Sequence, residues 1–462
     1  MGLSRHDEGF SWRSPAGSLV RSPRSAAEDG YIAPMPGLNP LAALPLVVFD
    51  DCSGSFGPLT DLRASFELRA GIGTLRERIE RVVGRRADRL ICRPALEAVV
   101  AESTGIPTFG VWPHGEILAV NGRLLTVEAL AGITSGEVRV TESGVVVAAR
   151  MESAALGAVE ASALPAVLCR ESRARVTVDA VLATAPWDLT TRIPGTLAED
   201  LSLFRDTSVL AASEARALRP DEGSSFGSHA IWIDRTATIG PLCVLDASKG
   251  PIFLGANVVV RPLSVLVGPC AVLEGSTVAE RSLLKASTVI GPHCRAGGEI
   301  GGTIFQGYSN KSHDGHLGDS FVGEWVNIGA GTDNSNLLNT YGEVIVRLDS
   351  DSGLTRTDRK FWGSILGDHV KLAIGTRLMT GATIGTGAMI AQSRPVASFV
   401  PRYSWIVDGG ESPKFFRFDK FMVTARAMMA RRGKTPSAAV EAVLRELHSK
   451  SVATVTQGTG HG

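Results

Sequence analysis

Leu366-Gly367-Asp368-His369-Val370-Lys371-Leu372-Ala373-Ile374-Gly375-Thr376-Arg377-Leu378-Met379-Thr380-Gly381-Ala382-Thr383-Ile384-Gly385-Thr386-Gly387-Ala388-Met389-Ile390 carries an aliphatic residue at every sixth position. Leu366, Leu372, Leu378, Ile384 and Ile390 keep that phase without a slip. So do Ile233, Ile239 and Leu245, then Val278, Leu284 and Ile290, then Val322 and Ile328. Many aliphatics here precede a small or acidic residue, as in Ile239-Gly240, Leu273-Glu274, Ile290-Gly291 and Leu317-Gly318. A period of six fits neither a helix nor a hairpin. It fits a triangular coil in which each aliphatic side chain points inward from a short strand and its small neighbour permits the corner. Such coils bury their edges only on one another, so several must stack; the stretch from Ile231 to Val396 supplies about eight. A left-handed parallel β-helix of hexapeptide repeats is expected over 229–398, interrupted by a non-periodic insertion between Asp333 and Phe361.

The rest of the chain reads differently. At 462 residues it exceeds one ordinary core. Leu46-Val47-Val48-Phe49 reads as a buried strand running into Asp50-Asp51-Cys52-Ser53-Gly54, and Arg69 to Val83 has helical spacing. Ile117 to Val120 precedes Asn121-Gly122, a hairpin-type dipeptide, and Val138 to Ala149 and Val176 to Val181 read as strands. Mixed strands and helices predict an α/β domain over 46–219, preceded by a disordered arm (1–45) and followed by a linker (220–228). Beyond the β-helix, 399–450 is expected to be helical, with Thr435-Pro436 starting the second helix, and 451–462 to be a disordered tail.

Lys+Arg and Asp+Glu both number 47, so charge gives no reason to expect nucleic acid or an anionic membrane as partner. The six cysteines form no CxxC pair and read as reduced, buried thiols. No apolar run reaches a membrane span, and the N-terminus lacks the apolar stretch of a secretory signal; the cytoplasm is the expected compartment.

Polar and aromatic groups crowd into Gln306 to Asp319 and on through Gly323 to Asn336. This block resembles the acetyltransferase half of the bifunctional glucosamine-1-phosphate acetyltransferase/N-acetylglucosamine-1-phosphate uridylyltransferases, the GlmU type. It is most similar to a divergent bacterial branch described as sugar nucleotidyltransferases, whose run SNKxHDGxLG…GEWxNxGAxTxNSNL is matched from Ser309 to Leu337. That branch's N-terminal signature is matched by Phe49-Asp50-Asp51, Pro58-Leu59-Thr60 and Glu67 to Glu77.

The resemblance implies a nucleotidyltransferase-like α/β domain followed by the β-helix, with a bifunctional activity. Acetyl-CoA would acetylate an amino-sugar-1-phosphate, and a nucleoside triphosphate with Mg²⁺ would give a nucleotide sugar such as UDP-N-acetylglucosamine. It also implies a homotrimer. His313 falls at the catalytic histidine, His316 at a tyrosine of the family, and Asn327 and Asn336 at two asparagines of the acetyltransferase site. The chemistry agrees: an amine attacking a thioester must lose a proton, and a neutral imidazole can take it. Tyr308 and Lys311 are further substrate-binding candidates, with Arg261 and the insertion's Arg347, Arg356, Arg359 and Lys360 as other cations for phosphate. Metal binding by His313 and His316 is not expected, because HxxH on a strand splays the rings.

The N-terminal half departs from the usual pattern: residues 1–248 contain no lysine. A phosphate grip there falls to Gly54 of the loop and to Arg63, Arg69 and Arg76. Asp50 and Asp51 hold Mg²⁺ at the end of the strand, or Asp51 makes a turn; Asp188 and Asp200 are weaker metal candidates. The alternatives are activity of one half only, or a non-catalytic sugar-nucleotide-binding scaffold.

Overall fold

The computed structural model describes residues 39–206, 215–410 and 414–458; the expected N-terminal arm lies outside these up to residue 38. The first domain is built on six strands: β1 (Leu46–Phe49), β2 (Arg89–Ile91), β3 (Glu116–Asn121), β4 (Glu137–Val140), β5 (Val146–Glu152) and β6 (Ala174–Thr177). Their order is β2-β1-β3-β5-β4-β6, parallel except for β5. The valine- and leucine-rich β1 is buried along its whole length, as a central parallel strand covered on both faces must be. The helices are α1 (Leu75–Val83), α2 (Glu97–Thr104), α3 (Leu164–Glu171), α4 (Pro186–Thr191) and α5 (Ile193–Asp206). Asn121-Gly122 makes no hairpin; β3 ends there and β4 starts only at Glu137, because Asn121 turns its amide onto Asp51 and the Val146 carbonyl.

The second domain is a three-sided parallel β-helix whose strands each pair with the strand one coil away. Its first sheet starts at Gly223–Phe226, inside the expected linker, and its third ends at Trp405–Val407. The second and third sheets have nine strands each, one coil beyond the expected count. All the in-phase aliphatics, Ile233 through Ile390, are buried in one axial core. The insertion folds back as an antiparallel hairpin, Ile345–Arg347 with Leu354–Arg356, because its own valines have a core to reach.

That core is the seam between the domains. The outward side of the second sheet presents Phe253, Ala271, Val289, Ile304, Phe321 and Ile365, and the first domain covers them with Leu59, Leu68, Leu75, Trp187 and Leu197. Each such large apolar side chain contributes roughly 1.5–3 kcal/mol by leaving water. Trp187 meets Trp362, just past the insertion, edge-on at 5.5 Å.

The C-terminal helices α6 (Phe418–Ala430) and α7 (Ala438–Gly458) close the far end. Tyr403 donates its hydroxyl to the Leu444 carbonyl, while Val443 packs on the core of the first domain. Ser437, not Thr435, caps α7, accepting from the Val440 N–H, and the helix runs to Gly458, past the expected start of a tail at 451. Of the six cysteines, Cys52 is exposed and Cys169 half-buried, so the expectation of burial holds only for the other four.

Candidate active sites

The polar block winds around the β-helix, and the winding decides what each residue can do. Gln306 ends a strand of the second sheet and faces the first domain, accepting from the Arg69 N–H and donating to the Glu67 carbonyl. Tyr308 occupies the next corner at φ 54°, stacked between His293 (4.9 Å) and Trp325 (4.4 Å). Lys311 turns inward. Its buried ammonium donates to the carbonyls of Gly297, His313 and Asp314, and burial pushes it down to about 8. It ties the corner together from inside and cannot reach a substrate, which corrects its assignment as a substrate-binding residue. Its place six residues after Phe305 and six before Leu317, both in the axial core, is the sequence signal for an inward position.

His313 stands exposed on the corner that Lys311 ties, between the third and first sheets. His316 follows on the first sheet. Asp333 accepts from its backbone N–H at 2.6 Å, its Nδ1 lies 3.2 Å from the Asn334 carbonyl, and its Nε2 lies 3.9 Å from Glu299, which Lys285 also holds. Asn336 stands one coil above Gly318 and donates to Asp319 at 2.6 Å. Burial raises the Asp319 carboxyl above its ordinary range, against the pull of Asn336. A Cβ on Gly318 would lie 2.7 Å from His316 and 2.8 Å from Asn336, so glycine leaves room for both polar groups to converge. The structure therefore gathers His316, Asn336 and Asp319 on the first sheet, with His313 at its edge. Tyr308 and Asn327 stand apart, on the third sheet beneath α6. Arg261 lies three coils below Asn310, and in the insertion Arg356 pairs with Glu343 while Arg359 and Lys360 border a cleft of about 420 Å³ with Asp319.

In the first domain a cleft of about 1020 Å³ opens outside the carboxyl ends of β3, β4 and β6, where parallel α/β sheets bind ligands. Ser53, Arg123, Thr141, Glu142, Asp179 and Thr184 border it. The loop after β1 is strapped in place: Asp50 accepts from the N–H groups of Cys52 and Ser65, and Ser55 donates to the Thr184 carbonyl. Gly54 sits under the Phe56 ring, 2.2 Å from where a Cβ would stand.

Asp51 does not face the cleft as a free ligand. Arg123 grips both its oxygens (2.8 and 2.6 Å) and Asn121 donates to one of them (2.9 Å). Burial raises the Asp51 carboxyl, and Arg123, Asn121 and Ser53 together more than offset it, leaving the group below its ordinary range. Asp188 caps α4 and Asp200 is consumed by Arg78 and the Ile72 N–H. Among the described residues no three His, Cys, Asp or Glu side chains come together as a metal cluster. These residues as arranged do not fit Mg²⁺.

The arginines expected to grip phosphate are likewise spent within the protein. Arg63 is buried between Asp368 and Glu324, Arg69 donates to the carbonyls of Gln306 and Ile72, and Arg76 pairs with Glu67 and Glu80. Two of the three bind the domains to each other; none reaches the cleft. Gly71 and Gly73 form no phosphate loop: Thr74 and Glu77 cap α1 reciprocally, and a Cβ on Gly71 (φ 115°) would meet Asp200 at 2.5 Å. The cleft's own cation is Arg123. Sequence reasoning passed over it because it follows an apparent hairpin turn.

Residues 46–208 match the family model described as sugar nucleotidyl transferase. The chain thus joins a sugar nucleotidyl transferase-type domain to a hexapeptide-type parallel β-helix. Over part of its length it is similar to curated bifunctional GlmU proteins. It is 27% identical over 207 residues to that of a Nostoc species, covering 44% of this chain and 40% of that protein. It is 33% identical over 127 residues to that of Gloeobacter violaceus (26% of each), and 34% over 106 residues to that of Rippkaea orientalis (22% of each). The chain spans less than half the length of the curated relatives it matches. Among solved structures, an Arabidopsis UDP-N-acetylglucosamine acyltransferase matches at 17% identity over 50% of this chain and 90% of that one, with a TM-score of 0.18. The β-helix rests on its own strand pairings rather than on that score. No helix of the described residues is long and apolar enough to cross a membrane.

Proposed function

We propose that this chain is a transferase of sugar-1-phosphate metabolism whose β-helix transfers an acetyl group from acetyl-CoA to an amino-sugar-1-phosphate. The observation that carries this reading is His313, a histidine exposed on a tied corner, from which the strand of His316 leads to the Asn336–Asp319 pair. The amine nitrogen forms a bond to the thioester carbonyl carbon, the carbon–sulfur bond breaks, and the proton lost by nitrogen passes to the His313 imidazole and then to the departing thiolate. Asn336 and His316 supply donors and acceptors for sugar hydroxyls. Assembly as a homotrimer, with the His313 corner meeting a neighbouring subunit, belongs to the same proposal. Thiol release from acetyl-CoA over a panel of amino-sugar-1-phosphates tests it: turnover with at least one sugar supports acyl transfer, and none across the panel refutes it.

A second reading has its own support. The cleft at the carboxyl ends of β3, β4 and β6 has the placement of a nucleotide site, with Arg123 as its cation. We assign it to binding a nucleotide or nucleotide sugar. Nucleotidyl transfer there would require Asp51 to exchange Arg123 for a metal ion. Pyrophosphate release from nucleoside triphosphates, with and without Mg²⁺, separates binding from turnover.

A further inference from the structure

The third sheet carries a ladder of polar side chains that the acyl-transfer reading does not use. Arg295, Asn310, Asn327 and Lys371 are register partners on four successive coils, each on the outward side. The coils below hold Thr277 and Val259 at this position, so the ladder is local. Helix α6 lies across it, and the end of that helix brings Arg431 and Arg432 over the same spot. Together they enclose a cleft of about 290 Å³, with Tyr308 and Trp325 forming one wall.

Four of the lining residues are cations and none is a carboxylate. Arg432 finds only a neutral partner, the Asn310 side-chain carbonyl at 2.8 Å. Burial and then the charges of Arg295 and Arg431 push its guanidinium below the usual range, so these groups repel one another. The Lys371 side chain donates to the carbonyls of Trp325 (2.7 Å) and His369 (2.9 Å); burial pushes it down to about 7, and an anion in the cleft would hold it in its charged form. Arg63, Arg76 and Arg402 are each matched by carboxylates, which the lining of this cleft lacks. Clustered cations lining an open cleft with no carboxylate among them attract an anion to it. Two guanidinium forks, an ammonium and an asparagine amide offer more donors than one carboxylate can accept, and they match the oxygens of a phosphate or diphosphate.

We propose that the cleft between the third sheet and α6 binds a small phosphorylated molecule, with Arg295, Arg432 and Lys371 on the phosphate and the Tyr308–Trp325 wall against the remainder. The volume limits the ligand to a small molecule. The phosphate belongs either to the amino-sugar-1-phosphate or to a separate ligand, and the chemistry of recognition is the same.

Titration calorimetry of the full chain with inorganic pyrophosphate reads the site directly. Binding is expected in the native protein and in His313→Ala, and at least tenfold weaker in Arg295→Gln/Arg432→Gln. Arg123→Gln runs alongside to subtract the first-domain cleft. Both substituted arginines lie at the protein surface, and an unchanged melting curve confirms the fold. Absence of pyrophosphate binding, or equal affinity in the double variant, overturns the proposal. The acyl-transfer assay then assigns the source. A KM for sugar-1-phosphate raised tenfold at similar kcat supports the site as the seat of the substrate's phosphate, and an unchanged KM with lost pyrophosphate binding supports it as the seat of a separate ligand. The pyrophosphate measurement stands whether or not acyl transfer is found.

Discussion

Arg63→Met should loosen the whole molecule, although Arg63 touches neither candidate site. Its guanidinium donates to the Leu59 carbonyl (2.8 Å) within its own domain and to Asp368 Oδ1 (3.0 Å) across the seam, with Glu324 at 3.2 Å. The Asp368 side chain is entirely buried on the β-helix. Its Oδ2 faces Arg63 at 3.0 Å without an aligned hydrogen bond, so it depends on the charge itself. Methionine keeps the stem's volume and removes the charge. An uncompensated buried charge of this kind costs about 3–5 kcal/mol, while Glu324, partly exposed, can turn to water. Urea unfolding at neutral pH should show a loss of that size. Arg63→Met/Asp368→Asn should recover at least half of it, since asparagine keeps the acceptor for the Glu324 N–H without the charge. A loss below about 1 kcal/mol in the single variant, well under the range for a broken buried pair, would refute the reasoning. So would a double variant no better than the single.

Other consequences follow from the same geometry. Burial, with Glu324 adding and Arg63 opposing, raises the Asp368 carboxyl from 3.8 to about 6. Between those values the folded chain holds a proton the unfolded chain lacks, so this group's contribution to stability is full below 3.8 and lost as pH rises through 6. Asp368→Asn should flatten that part of the stability–pH curve; an unchanged slope counts against the assignment. Lys311→Met removes the donor to three carbonyls at the corner that bears His313, of which the Asp314 carbonyl keeps the Gly331 N–H. It should lower stability by about 1–3 kcal/mol and reduce acyl transfer with it, whereas full activity would show that the corner does not need the tie. Arg123→Gln releases Asp51 and removes the cleft's cation, so nucleotide binding measured by calorimetry should fall at least tenfold. Equal binding would place the nucleotide elsewhere.

The β-helix was legible because its physics is local and periodic: an inward residue every six positions cannot be disguised, and Ile233 through Ile390 are all buried as the spacing required. Its ends were harder to see, since Gly223–Phe226 carries no aliphatic core residue and passed for a linker. The charged residues misled for a different reason. Arg63 and Arg69 look like phosphate grips in sequence, yet their partners Asp368 and Gln306 lie in the other domain, and nothing local announces them. Arg123 was invisible for the converse reason, as its role depends on Asp51 reaching it from β1. Of the family-matched residues, the motif named His313, His316, Asn327 and Asn336 alike, but only the winding of the coils shows that His316 and Asn336 converge at Gly318, that Lys311 faces inward and that Asn327 belongs to another face.

The most direct test of the central claim compares native protein with His313→Ala in acetyl-CoA turnover on an amino-sugar-1-phosphate. Loss of a general base predicts a fall of ~10²–10⁴-fold in kcat with the fold intact. Equal turnover in the variant would contradict the account and leave the β-helix as a binding scaffold.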